Sequence, residues 1–146
     1  MSADSPLSES IDNLVYEPLQ VHEHGVDLTV SAIYEVEGPG SLDFGGDELE
    51  DAELEPLPTS LRHPEDEFGW WHLDGGQYVV QYNEFLTDLD APAWIQPRNE
   101  LLARGASHPS VRVFSHLPLM PIQVAGGGIE NKENARISTL IVTETA

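Results

Sequence analysis

Between Val26 and Val36 the chain alternates cleanly: Val26, Leu28, Val30, Ala32, Tyr34 and Val36 fall on one side, Asp27, Thr29, Ser31 and Glu35 on the other. A period of two places these sets on opposite faces of a half-buried strand. The same pattern returns in shorter pieces over 77–86, 93–96, 110–116, 119–124 and 135–143. Prolines at 92, 97, 109, 118 and 121 keep these pieces short, because proline cannot donate to a sheet ladder. Helical spacing is scarce. Ile11, Leu14 and Val15 predict one short helix over 8–15, and 97–106 reads as a brief amphipathic turn closed by Gly105. The segment 41–67, with Gly45-Gly46, Pro56, Pro58 and Pro64, predicts loop and edge structure. Short strands with frequent Gly/Pro punctuation point to an all-β sandwich or barrel.

At 146 residues the chain fits a single domain, 1–146, with a polar N-terminal segment 1–20 and the acidic loop region 41–67. It has no cysteine, which excludes disulfides, thiolate zinc sites and the Pro-Cys-x-x-Cys ligands of zinc-dependent nucleobase deaminases. Neither zinc nor an organic cofactor is expected. Acidic residues outnumber basic ones 26 to 6, a net charge of −20. Such a chain repels DNA, RNA and anionic membranes. The acids are also spread among the strands, at Asp27, Glu35, Glu84, Asp88 and Asp90, and Lys132 is the single lysine. That distribution fits a cytoplasm of very high salt, where screening removes the self-repulsion. The start, Met1-Ser2-Ala3-Asp4-Ser5, has no basic segment or apolar run, so a soluble, cytoplasmic protein is expected.

Arg98 is the first candidate for chemistry. It follows the strand 93–96 and opens a helical turn, a place where a guanidinium can bind phosphate oxygens as a planar fork; taken alone, a surface ion pair explains it better. His22-x-His24 could hold a metal but lacks a third ligand, so two exposed histidines are the simpler reading. The acidic run 43–48 lacks calcium-loop spacing, and Gly126-Gly127-Gly128 is not followed by Lys-Ser/Thr and reads as a hairpin turn. Trp70, Trp71 and Trp94 are expected as core or subunit contacts. Arg136 has two open readings, an acidic neighbour or a phosphate.

Taken in order, several segments carry a resemblance. Gly25-Val26-Asp27-Leu28 resembles an Asp-Leu pair entering a strand. Leu73-Asp74-Gly75-Gly76-Gln77-Tyr78-Val79-Val80, followed by Asn83-Glu84-Phe85, resembles a Pro-Gly-Glu-Phe-Val-Leu strand and its Thr-Leu-Glu. Arg98-Asn99-Glu100-Leu101-Leu102-Ala103-Arg104-Gly105 stands in the place of Arg-Ser-Ser-Leu-Leu/Ala-Arg-x-Gly. Gly128-Ile129 and Asn134-Ala135-Arg136-Ile137-Ser138-Thr139-Leu140 resemble a closing Gly-Ile…Ala-Arg-Ile-x-Gln-Leu. From about 21 to 142 the chain resembles the dCTP deaminase and dUTPase family. The resemblance implies a distorted β barrel, often called a β-clip, and a homotrimer with its sites between subunits. It implies a pyrimidine deoxynucleotide ligand, with phosphate contacts from Arg98, Asn99, Glu100 and Arg104. It also implies magnesium in the dUTPase scheme, with Asp27 ordering a metal-bound water.

Four departures qualify those implications. Asn99 and Glu100 replace the two phosphate-binding serines, and a carboxylate there repels a triphosphate unless a cation bridges them. Ala103 takes the place of the second arginine, with Arg104 one residue later. The segment 111–118 has no aspartate, and Gln123 falls where the deaminase glutamate would be; an amide holds a water but cannot take its proton. The chain also ends soon after its last predicted strand, so the C-terminal segment that closes over phosphates in many relatives is expected to be missing. Two functions are compatible with this pattern. One is an enzyme adding water to dCTP or hydrolysing dUTP, with Gln123, His116 and Glu84 as candidate catalytic groups. The other is a catalytically reduced member that serves as a nucleotide-binding or protein-interaction module.

Overall fold

A computed structural model describes residues 5–142. In chain order its elements are α1 (Ser5–Glu9), β1 (Ile11–Asp12), α2 (Glu17–Gln20), β2 (Val21–His22), β3 (Gly25–Gly38), β4 (Glu53–Pro56), β5 (Trp70–Leu73), β6 (Gly76–Tyr82), β7 (Phe85–Leu86), β8 (Ala93–Pro97), α3 (Asn99–Ala103), β9 (Ala106–Ser107), β10 (Val111–Val113), β11 (Met120–Val124), β12 (Ile129–Lys132) and β13 (Arg136–Val142). The main sheet runs β10-β8-β13-β3-β6-β11-β9, with β2 and β4 pairing β3 off that path. It curls into a half barrel, and the expected all-β fold is what forms. Three one-turn helices accompany it rather than one. Thr143, the expected end of the last strand, lies outside the described residues.

The long strand β3 organises the barrel. Its first half pairs with β13 and its middle with β6, while the end beyond Tyr34 pairs with β4. The alternation read from the sequence holds only in part, because residues 26–30 are all buried and Ile33, rather than Ala32 or Tyr34, enters the core. Both faces of the first half are covered, and a register shift between Val30 and Ala32 rotates the second half of the strand, as a bulge does. Gly25 opens the strand against β13. A Cβ there would lie 2.2 Å from the carbonyl oxygen of Leu140, so only glycine permits the approach.

Leu28, Ile33, Ile95, Met120, Ile122 and Leu140 form the most deeply buried part of the core. Each stabilises the fold by roughly 1.5–3 kcal/mol relative to exposure. In β11 the alternation is strict: Met120, Ile122 and Val124 point inward, Pro121 and Gln123 outward. The helix expected over 8–15 is instead α1, a turn, and β1 paired with β7. The acidic region is loop apart from β4 at an edge and two isolated bridges, Ser41 to Glu50 and Ser60 to Trp70. Gly126–Gly128 does not close a hairpin: β11 pairs with β6 and β9, whereas β12 pairs with β5 in a separate ribbon. Gly128, at φ +77° and packed on the Leu73 carbonyl, redirects the chain between the two sheets.

Candidate functional site

The first constellation centres on Asp27, which the β3–β13 pairing buries to 1% exposure. Its Oδ2 lies 3.0 Å from Arg136 Nη1 and 3.5 Å from Arg98 Nε, while Oδ1 accepts from Thr139 Oγ1 at 2.9 Å and faces His22 Nε2 at 2.9 Å. Arg98 is held further by the Arg136 carbonyl at 3.2 Å and by Glu100 Oε1, 3.2 Å from its Nη2. Arg104 Nη1 donates to the Glu100 carbonyl at 3.1 Å. Arg98, Arg104 and Arg136, half of the six Lys and Arg residues of the chain, thus gather around one helical turn in a protein of net charge −20. Asp27 and Glu100 together balance the Arg98 and Arg136 guanidiniums, and Arg104 leaves the group one positive charge in surplus.

This geometry alters two expectations. Arg98 is not an open anion fork: its Nε is turned toward an internal carboxylate, and only its outer edge, shared with Glu100, faces solvent. Asp27 has both oxygens engaged by four partners, so ordering a metal-bound water would require one of them to let go. Among the described residues no group of three or more His, Asp or Glu is placed to hold a metal ion. Of the two readings of Arg136, the acidic neighbour is the one seen. His22 also serves Asp27, and its ring meets that of His24 edge to face at 6.0 Å.

A second constellation lies on the outer face at the far end of α3. Gln123 of β11 sits opposite Gln77 of β6 and Ser107 of β9. Around these three run two adjoining clefts of about 480 and 540 Å³, which they share. Leu102 and Gly105 border the first, Tyr78, His108 and Pro109 the second. Among the described residues the lining carries amides, hydroxyls, the His108 imidazole and apolar carbons but no arginine, lysine, aspartate or glutamate. Such a surface suits a neutral heterocycle better than phosphate. Gln77 falls in a resembling segment but nothing in the sequence marks Ser107 or His108, because their convergence with Gln77 and Gln123 depends on the two-residue strand β9.

Glu84 and His116 fall in neither place. They share a smaller cleft of about 170 Å³ with Tyr82 and Leu119. Glu84 is buried and accepts from Thr29 N at 2.9 Å, Thr29 Oγ1 at 2.6 Å and Gln20 Nε2 at 2.8 Å. That tether fixes α2 to the barrel and leaves the carboxylate few free lone pairs. The candidate set is therefore divided: Asp27, Arg98, Asn99 and Glu100 lie at the start of α3, Arg104 caps its other end with its guanidinium turned back to the Glu100 carbonyl, Gln123 lies beyond that end, and Glu84 with His116 elsewhere.

No protein-family model matches the chain. It is 30% identical over 148 residues to a probable deoxyuridine 5′-triphosphate nucleotidohydrolase of Methanosarcina mazei, an alignment covering 97% of this chain and 80% of the relative. It is 32% identical over 106 residues to a protein of the same name from Methanococcoides burtonii, covering 72% of this chain and 57% of that one. Its fold is like that of the crystal structure of 2′-deoxycytidine 5′-triphosphate deaminase from Agrobacterium tumefaciens, with a TM-score of 0.56 over 91% of this chain and 10% identity. The chain spans 43% of that structure's length. Sequence relatedness across nearly the whole chain, on a barrel of the matching kind, places this protein in the dCTP deaminase/dUTPase family.

Proposed function

We propose that this protein acts on a pyrimidine deoxynucleoside triphosphate, dUTP before dCTP, and hydrolyses it to the monophosphate and pyrophosphate. The observation that carries this reading is the division of labour along α3. A cationic cluster at one end suits the triphosphate, and a neutral, amide-lined cleft at the other suits the base. A one-turn helix of five residues spans about 7–8 Å at 1.5 Å per residue, so one extended ligand can reach both ends. The names of the relatives support the choice of dUTP.

The chemistry of the cleft supports hydrolysis over deamination. Attack of water at C4 of cytosine needs a proton acceptor beside the ring, and Gln123 is an amide that can hold a water but not deprotonate it. Phosphoryl transfer depends chiefly on positioning and on neutralising charge at the phosphate oxygens, which guanidiniums supply. In this scheme Arg98 and Arg136 hold the phosphates and Glu100 is displaced from the outer edge of Arg98, with Asn99 and Arg104 bordering the same seat. Asp27 acts by fixing both guanidiniums. The side chains around Asp27 do not fit a resident magnesium; that ion would enter on the oxygens of the triphosphate, the usual manner for so small a cation.

A second reading, a member that binds nucleotide without turning it over, is favoured by one observation: among the described residues of the protomer, no carboxylate or histidine with free lone pairs lines the cleft. Association into the homotrimer that the resemblance implies would let a neighbour supply that group. The two readings separate in one assay in molar KCl with magnesium. Release of pyrophosphate from dUTP supports the enzyme, saturable binding without release supports the reduced member, and ammonia from dCTP would contradict both.

A further inference from the structure

Inside the barrel three side chains to which the sequence assigned no role meet in one chain of hydrogen bonds. Ser138 of β13, fully buried, lies 2.6 Å from Tyr82 Oη of β6 and 2.8 Å from Nε2 of His108, the residue after β9. The other ring nitrogen of His108, Nδ1, is 2.9 Å from the carbonyl oxygen of Pro109. A carbonyl only accepts, so Nδ1 carries the proton. In the neutral ring Nε2 must then accept from the Ser138 hydroxyl, whose one proton is thereby committed. Tyr82 in turn donates to Ser138. Every bond direction in the relay is set by that single carbonyl.

The relay also occupies a decisive place in the fold. β13 and β9 are separated in the sheet by β3, β6 and β11, so the His108–Ser138 contact crosses the interior of the half barrel. On one side His108 borders the cleft with Gln123 and follows Ser107; on the other, Ser138 precedes Thr139, which holds Asp27. We propose that His108, through Ser138 and Tyr82, is a positioning residue that sets the Ser107–Gln123 wall of the cleft relative to the Asp27–Arg98–Arg136 cluster. This rests on the nucleotide reading only for the ligand that spans the two.

Acid should loosen the relay. A proton on Nε2 makes Ser138 the acceptor of two donors and strands its own hydroxyl proton in a buried site. Burial holds the His108 imidazole below its ordinary value, with the Pro109 carbonyl opposing. The titratable groups facing it are Tyr82 and, along the cleft, Tyr78; burial raises both, so each stays neutral while the imidazole titrates. The other residues lining the cleft with it, glutamine, serine, proline, valine and isoleucine, do not titrate.

Nitrogen–proton correlation spectra of the full chain in molar KCl test the assignment without nucleotide. The expected result is an Nδ1–H tautomer whose titration, below the ordinary imidazole midpoint, is tracked by the amides of Ser107 and Gln123 but not by that of Ile11. In Ser138→Ala the same two amides should shift at neutral pH, and the Kd for dUTP should rise several-fold while that for inorganic pyrophosphate stays level. Should Ser138→Ala not fold, Tyr82→Phe takes its place. An Nε2–H tautomer, or Ser107 and Gln123 amides indifferent to the ring's titration, would overturn the proposal. Protein that passes both spectral tests yet binds no dUTP would contradict the nucleotide reading and leave the relay standing.

Discussion

Asp27, itself buried, meets two guanidiniums, a threonine hydroxyl and an imidazole, and that arrangement makes it the pivot of the arginine cluster. Removing one member of a buried ion pair strands its partners; because Arg98 and Arg136 keep some access to solvent, Asp27→Asn should cost about 3 kcal/mol, read from the denaturant midpoint in molar KCl. Glu100 is different, an exposed carboxylate sitting where a phosphate is proposed to bind. Glu100→Gln should tighten dUTP binding by about three- to tenfold, roughly 0.7–1.4 kcal/mol, in equilibrium titration; weaker binding would place the phosphates elsewhere. His108 brings a pH dependence. Its folded-state value lies below the ordinary 6.5, so between the two values the unfolded chain binds more protons. Stability should therefore be at full value above about 6.5 and fall as the pH drops through that window, and His108→Gln should flatten the slope.

At the scale of elements, what the sequence reveals is what has a period. β11 alternates strictly, β3 alternates in sequence and β13 is a continuous run of strand-forming residues, so all three are legible, as is the turn that forms α3. β5 is not, because its four residues Trp70-Trp71-His72-Leu73 are too few to show a period, and they pair only with β12 in a small ribbon where Arg62 and Lys132 stack over Trp70. β9 escapes notice because two residues carry no pattern. The motif around Gly25 and Asp27 is visible in the sequence, yet its burial is not: alternation suggests a solvent-facing Asp27, and coverage of both faces of β3 puts it inside. Arg98 stands out in the sequence, but its inward turn toward Asp27 depends on β13 arriving beside β3, a contact more than a hundred residues distant along the chain. Gly25→Ala tests the close approach of those two strands directly. With its Cβ pressed on the Leu140 carbonyl, it should lower stability by about 2–3 kcal/mol in urea, and more than an alanine at open Gly126, which should stay within about 0.5 kcal/mol.

For the whole molecule the charge dominates. With a Debye length of about 30 Å at 0.01 M salt and about 3 Å at 1 M, twenty excess negative charges repel across the entire barrel in dilute buffer and hardly at all in molar salt. The melting temperature should rise steeply from dilute buffer to molar KCl, and a flat profile would show that the acidity serves something other than a salty cytoplasm. The same surplus sharpens the meaning of three arginines gathered around α3, since half of the chain's six basic residues fall at that one place. No helix among the described residues is long and apolar enough to cross a membrane.

The most direct test of the central claim is nucleotide binding and turnover in molar KCl by the wild type and by Arg98→Lys, a change that keeps the charge but removes the planar fork. The account predicts that wild-type protein binds dUTP and releases pyrophosphate from it, produces no ammonia from dCTP, and loses at least about tenfold in dUTP affinity, some 1.4 kcal/mol, in the variant. Equal affinity in the two proteins, or no dUTP binding in either, would contradict it.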